Sequence, residues 1–314
     1  MSARVLVVGS LNMDLVVRCE RHPAAGETVL GGSFARQPGG KGANQAVAAA
    51  RLLGPGRVAF AGAVGDDAWG VEFERALRAE GIDTGGLRRL AGLPTGVGVV
   101  AVDASGENRI VVAPGANARL ELGDLARHLT GVGWVLLQLE VPLAAVRAAQ
   151  RAARAAGARV LLNAAPAADL PPECLAEVDV LVVNALEAEQ LSGEREPGDA
   201  ARALRARGAG AVAVTLGARG ALWLDGRGAL EVPAPTVEAV DSTGAGDAFC
   251  GALAAAFADG LGSAAALERA CAAGALAVTR AGAMPSLPTA AELENRLSGR
   301  PEAGGCASWA TPRP

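Results

Sequence analysis

Six short, almost unbroken apolar runs constrain this chain more than any other feature: Arg4 to Gly9, Arg57 to Ala61, Trp134 to Leu139, Arg159 to Leu162, Val178 to Val183 and Ala211 to Leu216. A strand that is apolar at successive positions, rather than at every second one, is buried on both faces. Between most of these runs lie Ala-, Leu- and Arg-rich stretches with helical spacing, notably Ala43 to Leu53, Val71 to Glu80, Pro142 to Ala156 and Asp199 to Arg207. Strands alternating with helices predict an α/β fold of three layers, with a central, mostly parallel sheet covered by helices on both sides. After Val240 the alternation stops, and helices are predicted at Ala245 to Asp259, Ser263 to Arg280 and Thr289 to Leu297.

Two segments interrupt the rhythm. Leu15 to Phe34 and Thr95 to Val112 carry short alternating strands with turns such as Ala24-Ala25-Gly26 and Ala104-Ser105-Gly106-Glu107. They read as antiparallel strands of a small sheet projecting from the main one, either a lid over a pocket or an edge hairpin without a role. The 314 residues suit one or two domains. A chain of this size buries enough surface to need no disulfide or metal staple. We expect one unit over residues 1–300, with the small sheet drawn from about 12–38 and 94–114, followed by a disordered tail from Pro301 to Pro314.

Composition removes several function classes. Cys19, Cys174, Cys250, Cys271 and Cys306 are odd in number and never spaced as C-x-x-C, which argues against a disulfide framework or zinc site and fits a reducing cytoplasm. No apolar run reaches the roughly 18 residues of a membrane span, so no membrane partner is expected. A net charge of -4 without a basic cluster argues against nucleic acid. With two histidines, a Ser-His-Asp arrangement has little support.

Two familiar phosphate motifs fail. The first strand is followed by Gly9-Ser10-Leu11-Asn12-Met13-Asp14 instead of G-x-G-x-x-G, and Lys41 is followed by Gly42 instead of the Ser or Thr of a P-loop. A different anion site is written at Asp241-Ser242-Thr243-Gly244-Ala245-Gly246-Asp247. It opens a long helix, where the N–H groups of Gly244, Ala245 and Gly246 can converge on a phosphate, and its two glycines permit positive φ. Asp247 in the first turn either complements the helix dipole or accepts a proton from an attacking hydroxyl.

A second glycine-rich turn, Gly39-Gly40-Lys41-Gly42-Ala43-Asn44-Gln45-Ala46, enters an Ala-rich helix; it is either a turn and helix start with Lys41 exposed to water, or an approach for a small polar ligand at which Asn44 points its amide. Lys41 is the single lysine beside 28 arginines, either by chance of composition or because its place takes a compact ammonium that a planar guanidinium cannot replace. Polar residues also recur at strand ends, where open parallel sheets bind ligands: Asn12 and Asp14, Glu140, Asn184, and Thr215-Leu216-Gly217-Ala218-Arg219-Gly220. A carboxylate, amides and carboxamides suit a polyhydroxylated substrate.

Assembled, these residues closely resemble the ribokinase, or PfkB, family of sugar kinases. Both family signatures are present, at Gly39 to Ala46 and Asp241 to Asp247, and the likeness runs from about Val5 to Pro288 through GSLNMD, GETV, GDD, TGV, GAN, QLE, NAAPA, Asn184-x-x-Glu187, TLGARG and TRAGAMPS. The resemblance implies transfer of the ATP γ-phosphoryl group to O5 of D-ribose, or to deoxyribose, a nucleoside or another sugar. It implies Asp247 as proton acceptor, and the amides of Gly244, Ala245 and Gly246 as an anion hole. Sugar contacts would come from Asn12, Met13, Asp14, Gly40, Lys41, Gly42, Ala43, Asn44, Glu140 and Asp247. The ATP site would include Asn184, Thr215 to Gly220, Gly246, Asp247 and Cys271. Glu187 would organise Mg²⁺, while Asp241, Thr243, Ala277, Arg280, Gly282 and Ser286 would hold K⁺, mostly through carbonyl oxygens. The small sheet would be the family's β-lid and the interface of a homodimer. Two departures stand out: NAAPA where the family often has NPAPA, and Cys271 near the adenine, expected to alter backbone stiffness and nucleotide affinity without abolishing activity.

Overall fold

The computed structural model describes residues 4–105 and 107–299, so the proposed C-terminal tail lies outside the described residues. In chain order the elements are β1 (Arg4–Val8), β2 (Asn12–Arg18), β3 (Phe34–Gly39), α1 (Lys41–Leu53), β4 (Val58–Gly65), α2 (Ala68–Ala79), β5 (Asp83–Leu90), β6 (Gly96–Val102), β7 (Asn108–Ala113), β8 (Val132–Leu137), α3 (Leu143–Ala155), β9 (Arg159–Asn163), α4 (Pro172–Leu175), β10 (Val180–Asn184), α5 (Ala185–Ser192), α6 (Pro197–Ala206), β11 (Ala211–Thr215), β12 (Ala221–Asp225), β13 (Gly228–Val232), α7 (Ala245–Ala258), α8 (Ser263–Ala277) and α9 (Ala290–Ser298).

Among the described residues the main sheet has nine strands, ordered β13-β12-β11-β10-β9-β8-β1-β4-β5. Neighbours from β11 through β5 pair in parallel, while β12 and β13 close one edge as an antiparallel hairpin. The apolar runs are explained by burial on two sides. Along β1, Val5 and Val7 enter one core, whereas Leu6 and Val8 enter the other. The first core is shared with α1, α7 and α8, the second with α3 and α6. The predicted three-layer architecture therefore holds. Parallel register also aligns strand ends: Asn184 pairs with Thr215, so two candidate site residues stand side by side.

The second sheet has the order β3-β2-β6-β7. Its central pair, β2 with β6, is parallel, which corrects the expectation of a wholly antiparallel sheet; β2–β3 and β6–β7 are antiparallel. The cause is connectivity. β2 and β6 each follow a strand of the parallel main sheet, β1 and β5, and so leave it in the same direction. The turn after β7 ties the two exits together: Ala116 N donates to Pro94 O at 2.8 Å on the β5–β6 side, while Asn117 Oδ1 accepts from Leu11 N at 3.0 Å and its Nδ2 donates to Leu11 O and Asn12 Oδ1, both at 2.9 Å.

The helix expected to reach Arg280 stops at Ala277. The Val278 carbonyl is turned to accept the N–H groups of Val240 at 2.7 Å and Asp241 at 3.2 Å, so it cannot serve a further helical turn. Sequence reading missed β5, β12, β13, α4 and α5. Strand β5, DTGGLRRL, is an exposed edge with arginines and two glycines, so it lacks the doubly buried signature.

Helices α1 and α7 approach unusually closely because their facing residues are small. A Cβ built on Gly251 would lie 2.5 Å from Ala48 Cβ and 2.8 Å from the Gln45 carbonyl oxygen. Gly251→Ala therefore has to push the helices apart. Chemical denaturation should show a loss of about 1 to 3 kcal/mol, the usual cost of overpacking a core, whereas an unchanged midpoint would mean that this contact is not tight.

Candidate active site

The first turn of α1 is held on the segment leaving β1. Gly42 N donates to Ser10 Oγ at 3.2 Å, and Ala43 N to Ser10 O at 2.9 Å. Glu140 completes the junction. Its Oε2 accepts from Ser10 Oγ at 2.6 Å, Lys41 N at 3.0 Å and Asn12 Nδ2 at 3.3 Å. Strand alternation turns Asn12 and Asp14 to one face of β2 and Met13 to the other, where Met13 is fully buried in the core. Met13 thus supports the site from behind. Two glycines clear room for the Asp14 carboxylate, since a Cβ on Gly39 or Gly98 would come within 2.1 or 2.3 Å of its oxygens. Burial, with the charges of Glu140 and Asp247 nearby, raises the Asp14 carboxyl from an ordinary 3.8 to about 7.

Asp247 lies in the first turn of α7, buried opposite α1. Its Oδ2 accepts from Asn44 Nδ2 and its Oδ1 from Gln45 Nε2, both at 2.9 Å. Burial raises the Asp247 carboxyl above the ordinary range; Lys41 and the two amide donors act against that rise, and Glu140 adds to it. Lys41 is the counter-charge. Burial alone would lower its ammonium, but Asp247, Glu140 and Glu187 together raise it, so it remains charged.

The start of α7 differs in detail from the sequence expectation. Only Gly244 takes positive φ, at 80°, and a Cβ there would meet Ala283 Cα at 3.0 Å; Gly246 is helical with open space beside it. Ala245 N donates to Ser242 O at 3.3 Å, a long turn bond that a stronger acceptor can displace.

Beyond Asp247 opens a cleft of about 240 Å³, lined by Lys41, Asn163, Asn184, Glu187, Thr215 and the Gly244–Asp247 turn, among others. Asn184 caps α5, its Oδ1 accepting from Glu187 N at 2.8 Å while Glu187 Oε2 accepts from Asn184 N at 2.9 Å. This reciprocal pair fixes both side chains at the cleft wall. Burial raises the Glu187 carboxyl. The 217–219 turn is exposed at the end of β11, closed by Leu216 N to Gly220 O at 2.8 Å. Cys271 is buried in the core on α8, its Sγ 3.7 Å from Val232 O, and does not line this cleft.

Asp241 joins two loops. Its Oδ1 accepts from Thr243 N at 2.9 Å and Thr243 Oγ1 at 2.6 Å, and its Oδ2 from Gly282 N at 2.9 Å. Burial works to raise this carboxyl, but these bonds outweigh it and hold the group below its ordinary value. Arg51 steadies the second loop by donating to Met284 O at 3.2 Å and Leu287 O at 2.6 Å. Ser286 is fully buried, its Oγ on Ala283 O at 2.8 Å, and the Arg280 guanidinium is paired with Glu292 at 3.0 Å.

Five residues omitted from the sequence-derived set belong to this arrangement: Ser10, Gln45, Asn117, Gln138 and Asn163. Gln138 and Asn163 follow the strand-end rule that found Glu140 and Asn184, so a signal was present. Among the described residues no group of three His, Cys, Asp or Glu is placed to hold a metal, the four cysteines form no disulfide, and no helix is long and apolar enough to cross a membrane.

Comparison with known proteins gives this geometry a setting. Residues 2–290 match the model of the pfkB family carbohydrate kinases. The ribokinase of Schizosaccharomyces pombe is 37% identical over 311 residues, covering 94% of this chain and 98% of that protein. The deoxyribokinase of Salmonella typhi is 36% identical over 305 residues, with 94% and 98% coverage. Among solved structures, the Arabidopsis thaliana ribokinase complexed with ribose and ATP superposes with a TM-score of 0.87 at 32% identity, covering 96% of this chain and all of that one (100%). A family match over nearly the whole sequence, on a ribokinase-like fold, establishes that the chain belongs to the pfkB family of carbohydrate kinases.

Proposed function

We propose that the chain is a ribokinase, which transfers the γ-phosphoryl group of ATP to O5 of D-ribose to give D-ribose 5-phosphate and ADP. The observation that carries this reading is the position of Asp247, a buried carboxylate at an amide-rich helix start, standing between the polar cluster of Asn12, Asp14, Asn44 and Glu140 and the cleft of Asn184, Glu187 and Thr215. A sugar hydroxyl in the first compartment then meets a phosphoryl group in the second at the base that takes its proton. Gly244, Ala245 and Gly246 offer N–H groups to the charge on the transferring group. Relatives named ribokinase, and a neighbour solved with ribose and ATP, support the choice of substrates. Gly40, Lys41, Gly42 and Ala43 form the sugar-side turn, and the 215–220 turn borders the nucleotide.

The residues also fit two metal ions. Mg²⁺ takes one or two carboxylates together with phosphates and water, and Glu187 is the carboxylate held at the cleft wall. Bound there, Mg²⁺ neutralises charge on the phosphates. For K⁺, Asp241 supplies an ionised oxygen donor beside Thr243 and Gly282, and the carbonyl-rich loop through Ala277, Arg280 and Ser286 is tied to it by hydrogen bonds. That all-oxygen set suits a large, weakly hydrated cation, whose charge would steady the loop leading into Gly244.

We read residues 1–300 as one kinase unit in a cytoplasmic protein, with the small sheet of about 12–38 and 94–114 as a lid and as the contact surface of a homodimer. Its exposed apolar side chains support that reading, Phe34 at 66% and Val111 at 71% exposure, with Val17, Val99, Ile110 and Val112.

The direct test is ADP release on a panel of ribose, deoxyribose, ketohexose and nucleoside. Ribose should give the highest kcat/KM, and a site built around its hydroxyls should reject the deoxy sugar by orders of magnitude; a preference for deoxyribose would move the chain to the deoxyribokinase reading. Asp247→Asn should lower turnover at least about 100-fold with ribose binding nearly intact, and unimpaired turnover would remove the base. Replacing K⁺ by a bulky organic cation at constant ionic strength should depress activity; indifference rejects the cation site. Asp14 gives a signed pH effect. Native protein binds its proton up to about pH 7, the unfolded chain only up to 3.8, so this carboxyl lowers stability as pH rises through that window. Asp14→Asn should therefore stabilise the ligand-free protein at pH 8, by up to about 4 kcal/mol, and hardly at all near pH 4, as read from denaturation curves.

A further inference from the structure

We infer that Gln45, held by Gln138 and Asn163, is a positioning residue that keeps Oδ1 of Asp247 a hydrogen-bond acceptor and leaves Oδ2 to receive the substrate proton. The inference rests on the reading of Asp247 as the base. It begins at a group with one possible polarity, the Val182 carbonyl, which can only accept. Asn163 Nδ2 donates to it at 3.2 Å, so Asn163 Oδ1 faces Gln45 as an acceptor. Gln45 Nε2 meets that oxygen at 3.0 Å and spends its other proton on Asp247 Oδ1 at 2.9 Å. The remaining atom, Gln45 Oε1, accepts from Gln138 Nε2 at 2.6 Å. Gln45 and Gln138 are fully buried, so no water can compensate a reversal. Turning the Gln45 amide over would set its oxygen against both Asn163 Oδ1 and the Asp247 carboxylate.

The other oxygen is held differently. Asn44 Nδ2 donates to Asp247 Oδ2 at 2.9 Å, while Asn44 Oδ1 is buried without a partner. Half a turn of the Asn44 amide would offer that oxygen to a protonated Oδ2 without breaking any other bond of the side chain. In the transfer, the sugar oxygen keeps the electron pair of its O–H bond and forms the new bond to phosphorus. ADP leaves with the electrons of the broken P–O bond, and the proton passes to Oδ2. Oδ1 has no such freedom. The two neighbouring carboxamides of the glycine-rich signature thus have unequal parts: Asn44 follows the proton, Gln45 fixes the frame.

Gln45→Met keeps the length and removes the donor. Losing a hydrogen bond to the carboxylate favours the neutral acid, so the acid limb of kcat, where an ionised base is required, should move up by about one pH unit. The ribose KM should stay within about twofold. The other charged or titratable neighbours of Asp247 are Lys41 on α1, Asp14 on β2, Glu140 after β8 and Cys250 on α7; all remain in the variant. Gln138→Met loosens Gln45 without touching Asp247, and should shift the limb in the same direction by less. Direct titration of the Asp247 carboxyl by ¹³C NMR, assigned with Asp247→Asn, reports the shift without relying on turnover. A folded Gln45→Met protein with titration and acid limb both unmoved overturns the inference. If that variant does not fold, an unmoved Gln138→Met does so. The base reading fails separately, if Asp247→Asn retains turnover while the NMR shift in Gln45→Met is still seen.

Discussion

The close contact between α1 and α7 is the constraint on which the site depends. Asn44 and Gln45 belong to one helix and Asp247 to the other, 202 residues away from Gln45 in sequence, yet their bonds are 2.9 Å long. Carboxamide side chains of that length reach the carboxylate only because nothing larger than a hydrogen stands at Gly251 against Ala48. The chain's richness in alanine and glycine is therefore more than a compositional bias here. It sets an interhelical distance that bulkier core residues would lengthen, and the distance sets the environment of the carboxylate.

That environment concentrates charge at a cost. Asp14, Glu140 and Asp247 influence one another electrostatically, and burial raises both Asp14 and Asp247. These surroundings oppose the ionisation of Asp14 and Asp247, and for Asp247 only partial compensation is built in, by Lys41 and the amide donors. The protein holds the carboxylates in place through backbone and hydroxyl donors, as with Ser10 Oγ and Lys41 N on Glu140, so the cluster is oriented before any ligand arrives.

Much of this was legible in the sequence, for physical reasons that differ from element to element. The doubly buried strands declared themselves because every position is apolar, and Asn184, Thr215 and Glu140 because polar residues stand out at or just past the ends of such strands, the edge at which open parallel sheets generally bind ligands. Strand β5 escaped because an edge strand need not be apolar, and the parallel pairing of β2 with β6 because direction follows from the main sheet and not from local pattern. Met13 shows the limit of carrying a whole motif forward. Its neighbours Asn12 and Asp14 lie on the face toward Glu140 and Asp247, and a period of two sends it into the core. Gln45, Gln138 and Asn163 were visible in the motifs, but their joint meaning needed the contact of β8, β9, α1 and α7.

The single lysine acquires its sense from the same contacts. Its backbone N–H is already committed to Glu140, which anchors the residue at the first position of α1, and its ammonium reaches a cleft of about 240 Å³ bordered by Asn184, Glu187 and Asp247. Three carboxylates lie around it and none makes a bidentate pair, so the position calls for a charge that can be shared in several directions. An ammonium does this with three rotatable donors on a slender stem, whereas a guanidinium fixes its donors in one plane and occupies more of the cleft. In a chain that uses arginine at all 28 of its other basic positions, lysine is retained where geometry, and not charge alone, is at stake.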